Sequence, residues 1–144
     1  MIGLDTNVLV YAADEFTSEH ERCRELLSGA SEQDAEQLCL TWSVIYEFFR
    51  VVTHPKYFRT PWSTREAWDF VQRLADAPHV TVLCPGPAHA AAAERMLAAP
   101  GVRGNLVHDA HIAAVLVEHG VRRIYTRDQD FRRFPGIEVV DPLG

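Results

Sequence analysis

Two apolar rhythms alternate along this chain. Five short runs of bulky apolar residues, Ile2–Asp5, Leu38–Thr41, Val80–Leu83, Arg123–Thr126 and Ile137–Val140, read as strands. Between them, apolar positions recur every three or four residues, as on one face of a helix. The first helical stretch is short, Asn7–Ala13. Ser18-Glu19-His20-Glu21 has the form of a capping box and opens a second helix that Gly29 closes. Ser43 is placed to cap a helix over Val44–Thr53, which His54-Pro55 ends because the residue before proline avoids helical backbone. After the loop Pro55–Pro61, a second capping box, Ser63-Thr64-Arg65-Glu66, starts a helix with Trp68, Val71 and Leu74 on its inward face. His89–Ala99 is an alanine-rich helix stopped by Pro100-Gly101. The last helix spans Val107 to His119, with Ile112, Val115 and Leu116 at helical spacing and Gly120 as its cap.

Strands that alternate with helices predict βαβ units, a parallel sheet and an α/β fold. No repeat, low-complexity tract or linker interrupts the pattern, so residues 1–144 are expected to form one domain. Composition agrees: 47% hydrophobic and 24% charged residues suit a globular core rather than disorder. No apolar run approaches the ~18 residues of a spanning helix. Asp5 and Asn7 break the opening run, and no basic region precedes it, which argues against a secretory signal. Cys23, Cys39 and Cys84 are odd in number and scattered, as expected of buried thiols in a reducing cytoplasm.

Charge changes the picture through its placement. The net charge of −6 argues against a protein that coats nucleic acid generally. Asp14–Glu36 is acidic, whereas Arg50, Lys56, Arg59 and Arg65 form one basic stretch and Arg122, Arg123, Arg127, Arg132 and Arg133 another. Lys56 is the only lysine, so the positive charge is nearly all guanidinium, the group suited to phosphate.

The candidate chemistry lies where strands hand over to helices. Asp5 closes the first strand, Glu47 lies one turn beyond the second, Asp109 sits near the start of the last helix, and Asp128 follows the fourth strand. Ligands of open parallel sheets bind at the carboxyl ends of the strands, so these acids would converge there. Clustered carboxylates repel one another unless a cation neutralises them, and hard divalent ions such as Mg²⁺ and Mn²⁺ take such oxygen ligands. The pattern therefore points to metal-dependent phosphoryl transfer. Asp5 is equally placed to be a helix cap. Glu47 is not, since it lies inside a helix, where Ser43 one turn earlier could hydrogen-bond it. Of Asp128 and Asp130, one is expected to serve the local turn. His108 and His111 flank Asp109, yet helix histidines more often belong to surface or core than to chemistry.

The chain resembles the PIN domains, and more narrowly the VapC-type toxins of toxin–antitoxin pairs. The resemblance rests on Ile2-Gly3-Leu4-Asp5-Thr6-Asn7, on Glu47, on Asp109 with Ile112-Ala113-Ala114, and on Thr126-Arg127-Asp128-Gln129-Asp130-Phe131 followed by Phe134-Pro135-Gly136. It implies a three-layer α/β/α fold around a central parallel five-stranded sheet. It also implies an endoribonuclease that uses one or two Mg²⁺ or Mn²⁺ ions to activate water for in-line attack on phosphorus, with no nucleophilic side chain. Asp5, Glu47, Asp109 and Asp128 match the acidic quartet, Thr126 a supporting hydroxyl, and Asn7 the residue that steadies the first aspartate. Asp130 falls where members vary, as ligand or support. The implied partners are an RNA substrate, a second copy of the chain, and a cognate VapB-like antitoxin that brings an arginine to the acids. No sequence-specific DNA binding by this chain alone is implied.

Tyr57, Phe58 and Trp62 could stack on unpaired bases, and with Phe48 they could instead offer a groove to an amphipathic helix. A response-regulator receiver would need an aspartate where Cys84-Pro85 stands and a lysine far from Lys56; a haloacid-dehalogenase-like phosphatase would need aspartate at Asn7. The remaining alternative is a catalytically silent PIN-like module that acts by binding protein or RNA. The presence of all four acids weighs against it.

Overall fold

All three residues of β1 (Ile2–Leu4) are buried, which places this strand inside a sheet covered on both faces. In the computed structural model, which describes residues 1–29 and 36–144, β1 leads into α1 (Thr6–Ala13) and α2 (His20–Ser28). Then follow β2 (Leu38–Thr41), α3 (Trp42–Val52), α4 (Thr64–Asp76), β3 (Val80–Leu83), α5 (His89–Leu97) and α6 (Leu106–Glu118). β4 (Arg123–Tyr125), a 3₁₀ turn at Gln129–Arg133 and β5 (Glu138–Val140) complete the chain. The acidic stretch Asp14–Glu36 lies partly outside the described residues, at 30–35. Among the described residues no helix is long and apolar enough to cross a membrane.

The five strands are all parallel, in the order β3-β2-β1-β4-β5. The chain steps outward from β1 to β3, then returns to lay β4 on the other side of β1. Strand order therefore reverses between β1 and β4, and the crevice at such a switch point is where α/β sheets take ligands. Helices cover the sheet to make the three-layer α/β/α fold, with α5 paired to α6 and α1 packed on α2 and α3. Leu4, Leu40 and Ile124 of the central strands join Leu9, Phe48, Ile112 and Leu116 of the helices in one core. Gly3 permits the closest approach: a Cβ there would stand 2.6 Å from Leu116 Cδ1 of α6.

Local starts and faces differ from the sequence expectations in instructive ways. Ser18 does not cap α2; its hydroxyl donates to Glu19 Oε2, and Glu19 already has helical backbone (φ −80°, ψ −12°). Gly29 closes that helix at φ 65°, as expected. Ser43 does not cap α3 either. β2 runs straight into the helix, so the extended residue able to cap is Thr41, whose Oγ1 accepts from the Val44 N–H at 3.4 Å. The capping box at Ser63 and Glu66 forms in both directions. The inward face of α4 is Ala67, Val71 and Leu74, while Trp68 lies exposed at its edge against Phe49. Cys23 and Cys39 are buried, but Cys84 is exposed where the chain leaves β3.

Of the aromatics expected to offer a groove, Phe48, Tyr57, Phe58 and Trp62, two belong to the core. Phe48 and Phe58 are buried, and Phe48 packs on Phe70 at 5.1 Å and on Trp62 at 6.0 Å, centroid to centroid. Aromatic rings gain more by packing edge to face on one another than by facing water. Of the loop aromatics, Tyr57 alone stays exposed.

Candidate active site

Asp5 stands one residue beyond β1, with its backbone N–H bonded to the Tyr125 carbonyl of β4, at the switch point itself. Its two carboxylate oxygens are both engaged. Oδ1 accepts from the Thr6 N–H at 2.7 Å and so caps α1, while Oδ2 accepts from the Thr126 hydroxyl at 2.6 Å. Cap and site acid are therefore one residue. Only 7% of Asp5 is exposed. Burial pushes its pKa up to about 6; the bonds from Thr126 and Thr6 pull it down, and the charges of Glu47 and Asp128 raise it further.

Thr126 is the hub beneath the acids. Its oxygen accepts from Asn7 Nδ2 at 3.2 Å and from the Asp128 N–H at 2.9 Å. With both lone pairs taken, the hydroxyl proton has to point at Asp5. Asn7 thus steadies Asp5 through Thr126. Its own Oδ1 is buried without a hydrogen-bond partner among the described residues.

The other acids arrive from three further elements. Glu47 of α3 accepts from Thr6 Oγ1 at 3.0 Å and faces Arg50 at 3.9 Å. The hydroxyl that reaches it is therefore Thr6, not Ser43, which lies in the lining of the same cavity. Asp109 sits in the first turn of α6; burial pushes its pKa up to about 7, with the charges of Asp5, Asp128, Glu47 and Asp130 adding to the rise. Asp128 caps the 3₁₀ turn, its Oδ1 accepting from the Asp130 N–H at 2.8 Å. Asp130 is exposed and its carboxylate binds Arg133 at 2.8 Å.

A cavity of about 800 Å³ opens over this cluster, lined by Glu47, Asp109 and Asp128 together with Trp42, Tyr46, Arg50 and Tyr57. His108 also reaches its wall, whereas His111 packs against His89, ring centroids 5.3 Å apart. Three of the C-terminal arginines face carboxylates of the chain itself: Arg123 meets Glu36, Arg127 meets Glu19, and Arg133 meets Asp130. Sequence reasoning missed Thr6 as a partner of Glu47 and missed Trp42 and Tyr46 altogether. The spacing 42, 43, 46, 47 and 50 along one helical stripe was the signal that could have found them.

The donor set fits a hard divalent ion. It is all carboxylate, burial first and neighbouring charge second raise two of its members, and the orphaned Asn7 oxygen suits an ion-bound water. Among the described residues, no three His, Cys, Asp or Glu side chains are arranged to hold an ion as they stand. Ion binding would have to draw the carboxylates together.

A profile of the PIN domain matches residues 2–137. The chain belongs to the PIN-domain family. Among curated proteins, this PIN domain is 36% identical over 143 residues to ribonuclease VapC43 of Mycobacterium tuberculosis, covering 99% of this chain and 96% of the relative. It is 32% identical to ribonuclease VapC48 of the same organism, covering 96% and 95% of the two chains. Among solved structures, VapBC-1 from nontypeable Haemophilus influenzae shares the fold of this PIN domain at a TM-score of 0.67 and 16% identity, covering both chains fully.

Proposed function

We propose that residues 1–144 form one PIN domain that acts in the cytoplasm as the toxin of a type II toxin–antitoxin pair, a metal-dependent endoribonuclease. The observation that carries this reading is the convergence of Asp5, Glu47, Asp109 and Asp128 at the switch point, in a site that burial and mutual charge make uncomfortable without a cation. Similarity to the VapC ribonucleases over nearly the full length supports it.

In this reading Asp5, Glu47, Asp109 and Asp128 would hold Mg²⁺ or Mn²⁺. When bound, such ions lower the pKa of water and neutralise charge on a phosphate. The chain supplies the positioning. Thr126 fixes the rotamer of Asp5, Asn7 fixes Thr126, and Thr6 fixes Glu47. Asp130 supports Asp128 through its backbone N–H, and its pairing with Arg133 favours this role over that of a ligand. The same acids suit an arginine from a cognate antitoxin, because guanidinium pairs with carboxylate in a planar fork. Self-association as a homodimer belongs to the same proposal.

Purified protein should cleave RNA in Mg²⁺ or Mn²⁺, stop in EDTA and resume when ions are restored. Asp5→Asn should abolish cleavage and keep its circular dichroism spectrum, since asparagine retains the capping oxygen. Undiminished cleavage in chelator by demonstrably metal-free protein would reject the mechanism. Binding of RNA or antitoxin with no cleavage in any ion would favour a silent binding module instead.

A further inference from the structure

Three aromatic side chains that take no part in the acid cluster stand exposed on its rim. Tyr46 is 70%, Tyr57 51% and Trp42 40% exposed, and all three line the same cavity as Glu47, Asp109 and Asp128. Neighbouring aromatics of the fold behave otherwise: Phe48 and Phe58 are buried. Large exposed rings gathered at a cleft mark a contact surface. Trp42 and Tyr46 lie one turn apart on α3, with centroids 6.3 Å apart and planes tilted by 44°, so they do not stack on each other. Beside them Arg50 and Lys56 each stand 5.5 Å from the Tyr57 ring centroid.

We propose that Trp42 and Tyr46 form a stacking platform for an unpaired base next to the phosphate that is cut. Tyr46 is then a positioning residue for the RNA. This rests on the ribonuclease reading and names the side chains that position its substrate. Sequence adjacency supplies the geometry: Tyr46 precedes Glu47, so the aromatic stripe Trp42–Tyr46 runs beside the one acid of α3. A nucleotide uses two such surfaces together, a π-face for its base and, for its phosphate, acids that a bound cation would neutralise. Arg50 and Lys56 add the cations that favour a polyanion. A duplex buries the faces of its bases, and only an unpaired base can lie on a ring. A docked amphipathic helix would want a trough of aliphatic anchors. Among the described residues, Ile112 is the one aliphatic side chain in this lining, and its floor is carboxylate.

The platform is tested by the anisotropy of a fluorescein-labelled, mixed-sequence, single-stranded RNA oligonucleotide in Mg²⁺, with Asp5→Asn protein so that the probe survives. Adding Tyr46→Ala should weaken binding roughly ten- to hundredfold, the usual loss for one base–aromatic stack. Tyr46→Phe, which keeps the ring, should bind like the parent, and the same sequence as a duplex should bind poorly to all three. In otherwise unmutated protein, Tyr46→Ala should leave Mn²⁺ affinity by calorimetry and the thermal midpoint unchanged, since Tyr46 is exposed and is no ligand. Unchanged RNA affinity in Tyr46→Ala would overturn the platform. So would equal losses for Phe and Ala, or duplex bound as tightly as single strand. Loss of self-association with RNA affinity intact would assign the face to protein and also overturn it. If the unmutated protein cuts no RNA, the ribonuclease reading falls, and these affinities still decide the platform on their own.

Discussion

One hydroxyl joins four of the residues at this site. Thr126 gives its proton to Asp5 and receives from Asn7 and from the backbone of Asp128. Thr126→Val keeps the shape and removes all three bonds, leaving buried groups unpaired. It should cost about 1–3 kcal/mol of stability in chemical denaturation and most of the RNA cleavage, while Thr126→Ser retains both. Asp5 and Asp109 add a pH dependence in metal-free protein. Both bind a proton more tightly folded than unfolded, with values near 6 and 7 against an ordinary 3.8. Between about pH 4 and pH 7 the folded state therefore holds protons that the unfolded chain has lost, so stability falls as pH rises through that window. The displacement of Asp5 corresponds to about 3 kcal/mol at most. Urea midpoints that rise steadily from pH 5 to pH 7.5, in chelator, would contradict this. The places of Asp5 and Asp128 were legible because strand ends are legible, whereas Glu47 and Asp109 lie within helices and are brought near them only by the packing of α3 and α6. Thr6 was not legible, because a contact across 41 residues leaves no local signature.

Elements were legible where one period dominates. Every strand run and every helix foreseen from the pattern exists, and the capping box at Ser63 forms as its residues require. The misplaced helix starts share one cause. Ser18, Ser43 and Thr41 are all capping types, and only the backbone decides which of them is the last extended residue. Trp68 was misread because a helix can tuck small Ala67 beneath it and leave the larger ring at the margin. The packing of α6 on β1 was invisible in the pattern, and it makes Gly3 testable. A methyl group at Gly3 would meet Leu116, whose side chain is fully buried and has nowhere to retreat. Gly3→Ala should cost about 1–3 kcal/mol, the usual cost of overpacking, and Leu116→Val should recover part of it. Additive losses in the double variant would show that the contact is not the cause.

At the scale of the whole molecule, the parallel order β3-β2-β1-β4-β5 gathers acids from positions 5, 47, 109 and 128 into one crevice. Folding thus assembles like charges, and ligand binding should repay part of that cost. A cation that binds only the folded state stabilises it by mass action, about 2.7 kcal/mol at a hundredfold excess over its dissociation constant. For a domain of this size, each kcal/mol moves the thermal midpoint by roughly 2–4 °C, so saturating Mn²⁺ should raise it by roughly 5–10 °C. The rise should be full at pH 8 and small at pH 5.5, because the ion must displace protons from Asp5 and Asp109 at the lower pH. Asp109→Asn should raise the midpoint of metal-free protein at pH 8 by removing one repelling charge, and should shrink the response to Mn²⁺. An Mn²⁺ response equal at both pH values, or intact in Asp109→Asn, would place the ion elsewhere than among these acids.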